Sequence, residues 1–232
     1  MERVDTLSYK KIIERANDRL MAMAELTEDS YFNKIPKNKI DYFIDESIKI
    51  GMETAQKFVG KYNSLEEFCG DKKVKIELDT DEYGFEMIKL RGKYNEEKET
   101  IIMYHNSIKR MEIAYKELGI DFLNYDTIYK ILLAHEVFHL IEVKEIGKTY
   151  EKLEDINIFK LGPLKKFYPI VKTSDIGANI FAKKFLNISY HPKVLNYLYI
   201  WGAGIIDKDK LIDYFDELDQ KLNKSHLNSS LK

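Results

Sequence analysis

Residues 131–140 read ILLAHEVFHL, and the predictions for the rest of the chain depend on this stretch. It holds His135, Glu136 and His139 in the spacing His-Glu-x-x-His, within a run of apolar residues. Positions i and i+4 of a helix lie on one face, with their β-carbons about 5–6 Å apart. The stretch therefore predicts a helix that presents two imidazoles on one side and a carboxylate beside them.

This arrangement favours a zinc site. Imidazole nitrogens bind Zn²⁺ at about 2.0–2.1 Å, and histidines within an apolar helix need such a partner. A zinc ion lowers the pKa of a bound water to roughly 7, and a neighbouring carboxylate accepts its proton and passes it to a leaving amine. The motif thus predicts a zinc peptidase site with His135 and His139 as ligands and Glu136 as general base.

The third ligand is not specified by the motif, since no third histidine follows at the spacing HExxHxxGxxH. Glu142 lies on the same helix, which cannot easily wrap three ligands around one ion. The acidic cluster of Glu151, Glu154 and Asp155 follows in a connection, where solvated charge is the ordinary interpretation. Asp175 opens a later helix within an apolar run, and we favour it, although a carboxylate there also suits a helix N-terminus.

A resemblance to a known family rests on this later helix. It reads acidic-x-x-Ala-Asn-x-Phe-Ala, with Asp175, Ala178, Asn179, Phe181 and Ala182 at the matching positions. Together with the preceding His-Glu-x-x-His helix, it resembles the ImmA/IrrE metallopeptidase family over about residues 41–186. The resemblance implies a zinc peptidase in which the acidic residue, usually Glu, is the third ligand. Here Asp replaces Glu, which shortens the reach of the carboxylate by about 1.5 Å.

The remaining patterns predict an α+β fold that is zincin-like. Its small three-stranded antiparallel sheet packs on the active-site helix, and further helices surround both. Residues 7–26 and 39–62 carry apolar side chains at helical spacing. Short β-type runs follow at residues 74–78, 85–90 and 100–104, separated by turn-rich segments. We expect an N-terminal helical region (1–63), either part of the same domain or an appendage to it, a metallopeptidase core (64–190) and C-terminal helices (191–232).

Further residues are candidates for the substrate cleft. Asn179 lies one turn after Asp175, and two roles are open for it: a hydrogen bond to the metal ligands, or packing beside the helix cap. Tyr190 and His191 follow that helix and are candidates for stabilising an oxyanion. The strand at residues 100–104 is the candidate edge for binding an extended substrate. The irregular connection of residues 148–173 is a candidate wall of the cleft.

Composition narrows the class of protein. The chain has 37 basic and 39 acidic residues, so it lacks the charge excess expected of a nucleic-acid or membrane-surface binder. Cys69 is the only cysteine, which excludes an intramolecular disulfide and fits a reducing compartment. The amino terminus does not read as a signal peptide. We expect a cytoplasmic protein with Zn²⁺ as cofactor and a peptide or protein as substrate.

Two other functions compete with this interpretation. The Asp in place of Glu and the undefined oxyanion donor motivate a noncatalytic metal-binding regulatory module that retains the zincin-like fold. A di-iron bundle would need the spacing Glu-x-x-His on two helices, and in this sequence only Glu136 and His139 have it.

Overall fold

A computed structural model describes residues 6–81, 91–161 and 164–229 of the chain. Its helices are α1 (Thr6–Arg15), α2 (Asp18–Thr27), α3 (Ile40–Phe58), α4 (Leu65–Asp71), α5 (His105–Glu117), α6 (Tyr125–Ile141), α7 (Thr149–Lys152), α8 (Lys172–Phe185), α9 (Val194–Gly202) and α10 (Lys208–Ser229). Its strands are β1 (Lys75–Asp79), β2 (Gly92–Asn95), β3 (Thr100–Tyr104), β4 (Ile156–Leu161) and β5 (Leu164–Tyr168). The predicted α+β class is confirmed.

The helix predicted over residues 7–26 is divided into α1 and α2. Asn17 starts the second helix, because its side-chain oxygen accepts a hydrogen bond from the Leu20 backbone N–H at 3.0 Å. Such an N-cap satisfies a donor that the first turn of a helix would otherwise leave without a partner. Helix α2 is buried over residues 20–26 and so brings Glu25 into the interior.

The three-stranded sheet is mixed, so the prediction of an antiparallel sheet is wrong. Its order is β1-β3-β2, with β1 parallel and β2 antiparallel to β3. The prediction assumed that consecutive strands are neighbours. Strand β3, however, is buried on both faces, as a central strand is, whereas β1 is mostly exposed. Strand β2 lies where turns were expected, and the predicted strand 85–90 lies outside the described residues.

The connection of residues 148–173 is more regular than its sequence indicated. It contains helix α7 and a hairpin in which β4 and β5 pair in antiparallel fashion. Phe159 and Phe167 on these strands are about half exposed, at 51% and 52%. Apolar side chains therefore lie on both faces of the hairpin, since Ile156 is buried, and periodicity alone did not identify the strands.

Helix α8 packs closely against both α3 and α6, and two glycines permit this. A β-carbon at Gly51 of α3 would lie 2.5 Å from the Gly177 carbonyl oxygen of α8. A β-carbon at Gly177 would lie 2.8 Å from Cζ of Phe138 on α6. Both distances are shorter than van der Waals contact, so any side chain at either position would push the helices apart. Gly51 thus permits the close approach of α3 to α8, and Gly177 sets the distance between α8 and α6, the two helices that carry the predicted ligands.

We predict that Gly177→Ala destabilises the protein by about 1–3 kcal/mol, because the added methyl group overpacks the contact with Phe138. Urea denaturation followed by circular dichroism measures the change. Gly70→Ala is the matched control, since a β-carbon at Gly70 in α4 meets nothing within 4 Å. It is expected to stabilise the protein by up to about 1 kcal/mol. Equal effects of the two substitutions would contradict the close-packing argument.

Candidate metal centre

From residue 131 onward, helix α6 is buried except along one strip, and that strip carries the motif residues. The helix is capped by Asn124, whose side-chain oxygen accepts a hydrogen bond from the Thr127 N–H at 3.0 Å. Within residues 131–140, every side chain is buried except those of Leu132, His135, Glu136 and His139. The apolar residues thus hold the helix in the core and direct the two imidazoles and the carboxylate to its one accessible side.

Three predicted ligand atoms form a small triangle. The Nε2 atoms of His135 and His139 are 3.2 Å apart. Oδ1 of Asp175 lies 3.6 Å from the first nitrogen and 3.5 Å from the second. Ligand atoms about 2.0–2.1 Å from a tetrahedral ion are separated from one another by about 3.4 Å. The three edges agree with this spacing, so the group fits one tetrahedral cation and has a donor set that zinc favours.

Among the described residues, the other carboxylates considered as third ligand do not join this triangle. Glu142 contacts the opposite ring nitrogen of His139. The acidic cluster of residues 151, 154 and 155 is exposed in the connection. Asp175 reaches the histidines because α8 crosses α6 at Gly177, just two residues beyond it. Its other oxygen, Oδ2, accepts a hydrogen bond from Lys172 Nζ at 2.7 Å.

Each imidazole has a partner on the nitrogen that faces away from the triangle. Nδ1 of His135 lies 3.3 Å from Oδ1 of Asn179, and Nδ1 of His139 lies 3.0 Å from Oε2 of Glu142. Both partners present acceptor oxygens, so each Nδ1 carries a hydrogen and each Nε2 faces the triangle, where its lone pair becomes available to a cation when the ring is neutral. Histidines that bind metals are commonly oriented in this way.

Glu142 is itself held by the surrounding backbone and side chains. Its Oε1 accepts hydrogen bonds from the Thr149 N–H at 2.7 Å and the Ser174 hydroxyl at 2.8 Å. The carboxylate is fully buried, and it joins α6, α7 and α8. Burial acts to raise the pKa of Glu142, but the hydrogen bond with His139 contributes most to lowering it overall. Glu142 therefore remains ionised and fixes the orientation of the His139 ring.

The charges in the triangle complement one another. Burial acts to lower the pKa of His139, but hydrogen bonds with Asp175 and Glu142 raise it to about 10. Burial acts to raise the pKa of Asp175, but the two imidazoles hold it well below its usual range. The three groups thus stabilise a positive charge between them. A metal cation at this point would replace a proton, because a histidine ligand must be neutral.

Glu136 lies beside the triangle and is positioned by strand β2. Its Oε2 accepts a hydrogen bond from the Tyr94 N–H at 2.9 Å. A β-carbon at Gly92 would lie 2.9 Å from Cγ of Glu136, so only glycine leaves room for this carboxylate. In the described sheet β2 is the edge strand beside α6. The prediction that residues 100–104 form that edge is wrong, because β3 is the central strand.

The predicted accessory residues take different positions. Asn179 lines the cleft of about 230 Å³ beside the triangle, whereas Tyr190 and His191 are not part of its described lining. The Tyr190 ring packs on Phe122 with centroids 5.7 Å apart. His191 is buried, its Nδ1 accepts a hydrogen bond from the Lys193 N–H at 3.1 Å, and burial lowers its pKa to about 3. The structure thus does not bring these two side chains to the triangle.

The cleft also contains cations that the sequence did not single out. Lys172 is its only described lining residue from the connection of residues 148–173. Arg91 and Lys193 line it as well. In the sequence, these three residues belong to no motif, and their spacing does not distinguish them from the other basic residues of the chain. The signal that could have identified Lys172 is its position three residues before Asp175 on the same helix face.

No protein-family model, curated protein or solved structure matches this chain. Within the described residues, none of the helices combines the length and the apolar character needed to cross a bilayer. The assignment of a function therefore rests on the residues of the site and their geometry.

We predict that purified protein binds one zinc ion per chain and that His139→Ala or Asp175→Ala removes most of it, because each supplies one corner of the triangle. Elemental analysis after dialysis measures the metal. Asp155→Ala is the matched control, since this exposed aspartate lies in the connection. Retention of zinc by Asp175→Ala at the level of the control would exclude this carboxylate as a ligand.

We predict that Glu142→Gln weakens zinc binding about 10–100-fold without removing a ligand. The Thr149 N–H requires an acceptor, so the amide oxygen stays on that side and the amide nitrogen faces His139. The ring must then accept at Nδ1, which places a hydrogen on the Nε2 that faces the triangle. Competition with a chromophoric chelator measures the affinity, with Glu151→Gln as the exposed control. An unchanged affinity would contradict the orienting role.

Proposed function

We propose that this protein is a zinc-dependent metallopeptidase with a zincin-like fold, as its resemblance to the ImmA/IrrE family implies. The observation that carries the proposal is the triangle of His135, His139 and Asp175 with the Glu136 carboxylate next to it on the same helix. Two imidazoles, one carboxylate and a neighbouring base are the groups that peptide hydrolysis at a metal requires.

The residues of the site have distinct roles in this proposal. A zinc ion held by the triangle would polarise the substrate carbonyl and lower the pKa of water to about 7. Glu136 accepts the proton of the attacking water and delivers it to the leaving amine. Asn179 and Glu142 orient the imidazoles, and Lys172 holds the second oxygen of Asp175. These contacts position the groups before substrate arrives, so little reorganisation is needed during reaction.

Strand β2 is the surface on which we propose that an extended substrate binds. The Tyr104 N–H donates to the Arg91 carbonyl at 3.1 Å, so residue 91 turns its polar groups toward β3. Polar groups alternate along an antiparallel strand, so Gly92 and Tyr94 turn theirs to the free edge. Glu136 occupies the Tyr94 N–H, so a peptide that pairs with the other outward groups of this edge lies next to that carboxylate.

A noncatalytic metal-binding regulatory module is the second candidate. One oxygen of the Glu136 carboxylate accepts a hydrogen bond from the Tyr94 N–H, so part of the proposed general base already has a protein partner. In such a module the metal would stabilise the crossing of α6 and α8, and the cleft would bind a partner peptide without cleaving it.

We predict that Glu136→Gln lowers turnover about 10²–10⁴-fold and leaves zinc bound, because glutamine cannot accept the proton and is not a ligand. Mass spectrometry of cleavage products from a denatured-proteome peptide mixture measures turnover. Glu151→Gln is the control, and a chelator should abolish the activity of both active forms. Zinc-loaded wild-type protein that cleaves no more than Glu136→Gln would favour the noncatalytic module.

A further inference from the structure

Arg91 is a cleft residue whose position is fixed at both ends. Its backbone carbonyl accepts the hydrogen bond from the Tyr104 N–H, which ties it to the sheet immediately before β2. At the other end its guanidinium carbon lies 5.3 Å from the centroid of the Tyr199 ring on α9. Stacking on an aromatic face restricts the plane of a guanidinium group and leaves its N–H edge available for a ligand.

The charge of Arg91 lacks a counterion among the described residues, unlike the other cleft cations. Lys172 Nζ contacts Asp175 at 2.7 Å, and Lys193 Nζ contacts Glu25 at 2.9 Å. No carboxylate of the described chain forms an ion pair with Arg91, and its buried Nε has no hydrogen-bond partner. The buried Nε–H and the charge at the cleft wall are therefore both available to an anionic ligand.

Arg91 also lies where two cavities meet. It lines the cleft of about 230 Å³ that contains His135, Glu136 and Asp175. It lines as well a neighbouring cavity of about 720 Å³, whose wall includes Tyr197 and Ile200. A peptide that extends from the metal triangle into the second cavity therefore passes the guanidinium group.

We infer that Arg91 is a specificity-determining residue that binds a carboxylate of the substrate, either an acidic side chain or a C-terminal carboxylate. This inference rests on the proposed peptidase function. Arginine pairs with carboxylates through two parallel hydrogen bonds. A single negative charge suits the cleft better than a dianionic phosphate, because four carboxylates already line it, those of Glu25, Glu28, Glu136 and Asp175. The peptide segment next to the cleaved bond thus presents one carboxylate to Arg91.

Side-chain NMR of protein labelled with [¹⁵N]arginine tests the binding directly and needs neither metal nor turnover. The Arg91 Nε–H resonance is assigned by its loss in Arg91→Lys. The probes are two matched pairs: N-acetylglutamate α-amide with N-acetylglutamine α-amide, and N-acetyl-dialanine with its C-terminal amide. We expect the acid of one pair to shift this resonance saturably and to bind at least about tenfold more tightly than its amide. The exposed Arg110 should not respond.

The two pairs identify the source of the carboxylate, because the first carries it on a side chain and the second at the chain terminus. Inorganic phosphate is the competing probe, and a larger response to phosphate than to either acid would overturn the carboxylate assignment. An Arg91 resonance that neither acid moves, or that acid and amide move equally, would overturn the inference as well.

Kinetics provide the second readout. In Arg91→Met, the preference for peptides with the carboxylate over matched amides should fall about 10–100-fold in kcat/KM, mainly through KM. Arg91→Lys should restore part of it, since lysine keeps the charge but not the planar fork. Arg110→Met is the control, and zinc content and circular dichroism confirm folding. If the zinc-loaded wild type shows no turnover, the peptidase function is refuted. The NMR experiment tests carboxylate binding by Arg91 independently of turnover.

Discussion

The crossing of α6 and α8 is the constraint on which the candidate metal centre depends. Asp175 is distant in sequence from the two histidines, so its carboxylate reaches them only if the two helices approach to a set distance. Gly177 supplies that distance, because the Phe138 ring occupies the space where its side chain would be. The buried Glu142 contributes a polar link between the same helices through Ser174. Apolar packing and one buried hydrogen bond therefore act together to place the ligand.

Buried charge is the second organising feature, and most of it is compensated within the site. Glu25 accepts a hydrogen bond from the Asn179 amide at 3.0 Å and pairs with Lys193. Asn179 in turn contacts His135, so the network extends from α2 and the start of α9 to the metal triangle. Such a network is stable only when each member has a partner, since a buried polar group without one is costly. This requirement makes the missing counterion of Arg91 informative.

The sequence predicts the local parts of this structure well and the long-range parts poorly. The two histidines and Glu136 share a helix, so their spacing alone defines which face they occupy. Strand order depends instead on pairing between distant segments, and the turn-rich residues between β1 and β3 gave no sign that β3 is central. The partners of Glu142 likewise come from α7 and α8, so its role was not evident from its position after His139. Arg91 belongs to no sequence motif, and only its position in the cleft of the folded protein distinguishes it from the other basic residues.

The pairing register between β2 and β3 determines how the four-residue strand β2 and the residue before it contact the site. Gly92 leaves room for Glu136, Tyr94 offers it an N–H, and Arg91 borders the cleft. A slip of one residue would turn the Tyr94 N–H toward β3 and place the Lys93 side chain against Glu136. The turn that follows resists such a slip, because the Asn95 side chain accepts a hydrogen bond from the Lys98 N–H at 3.0 Å. The positions of Glu136 and Arg91, to which we assign proposed roles in catalysis and specificity, are therefore set by the same short hairpin.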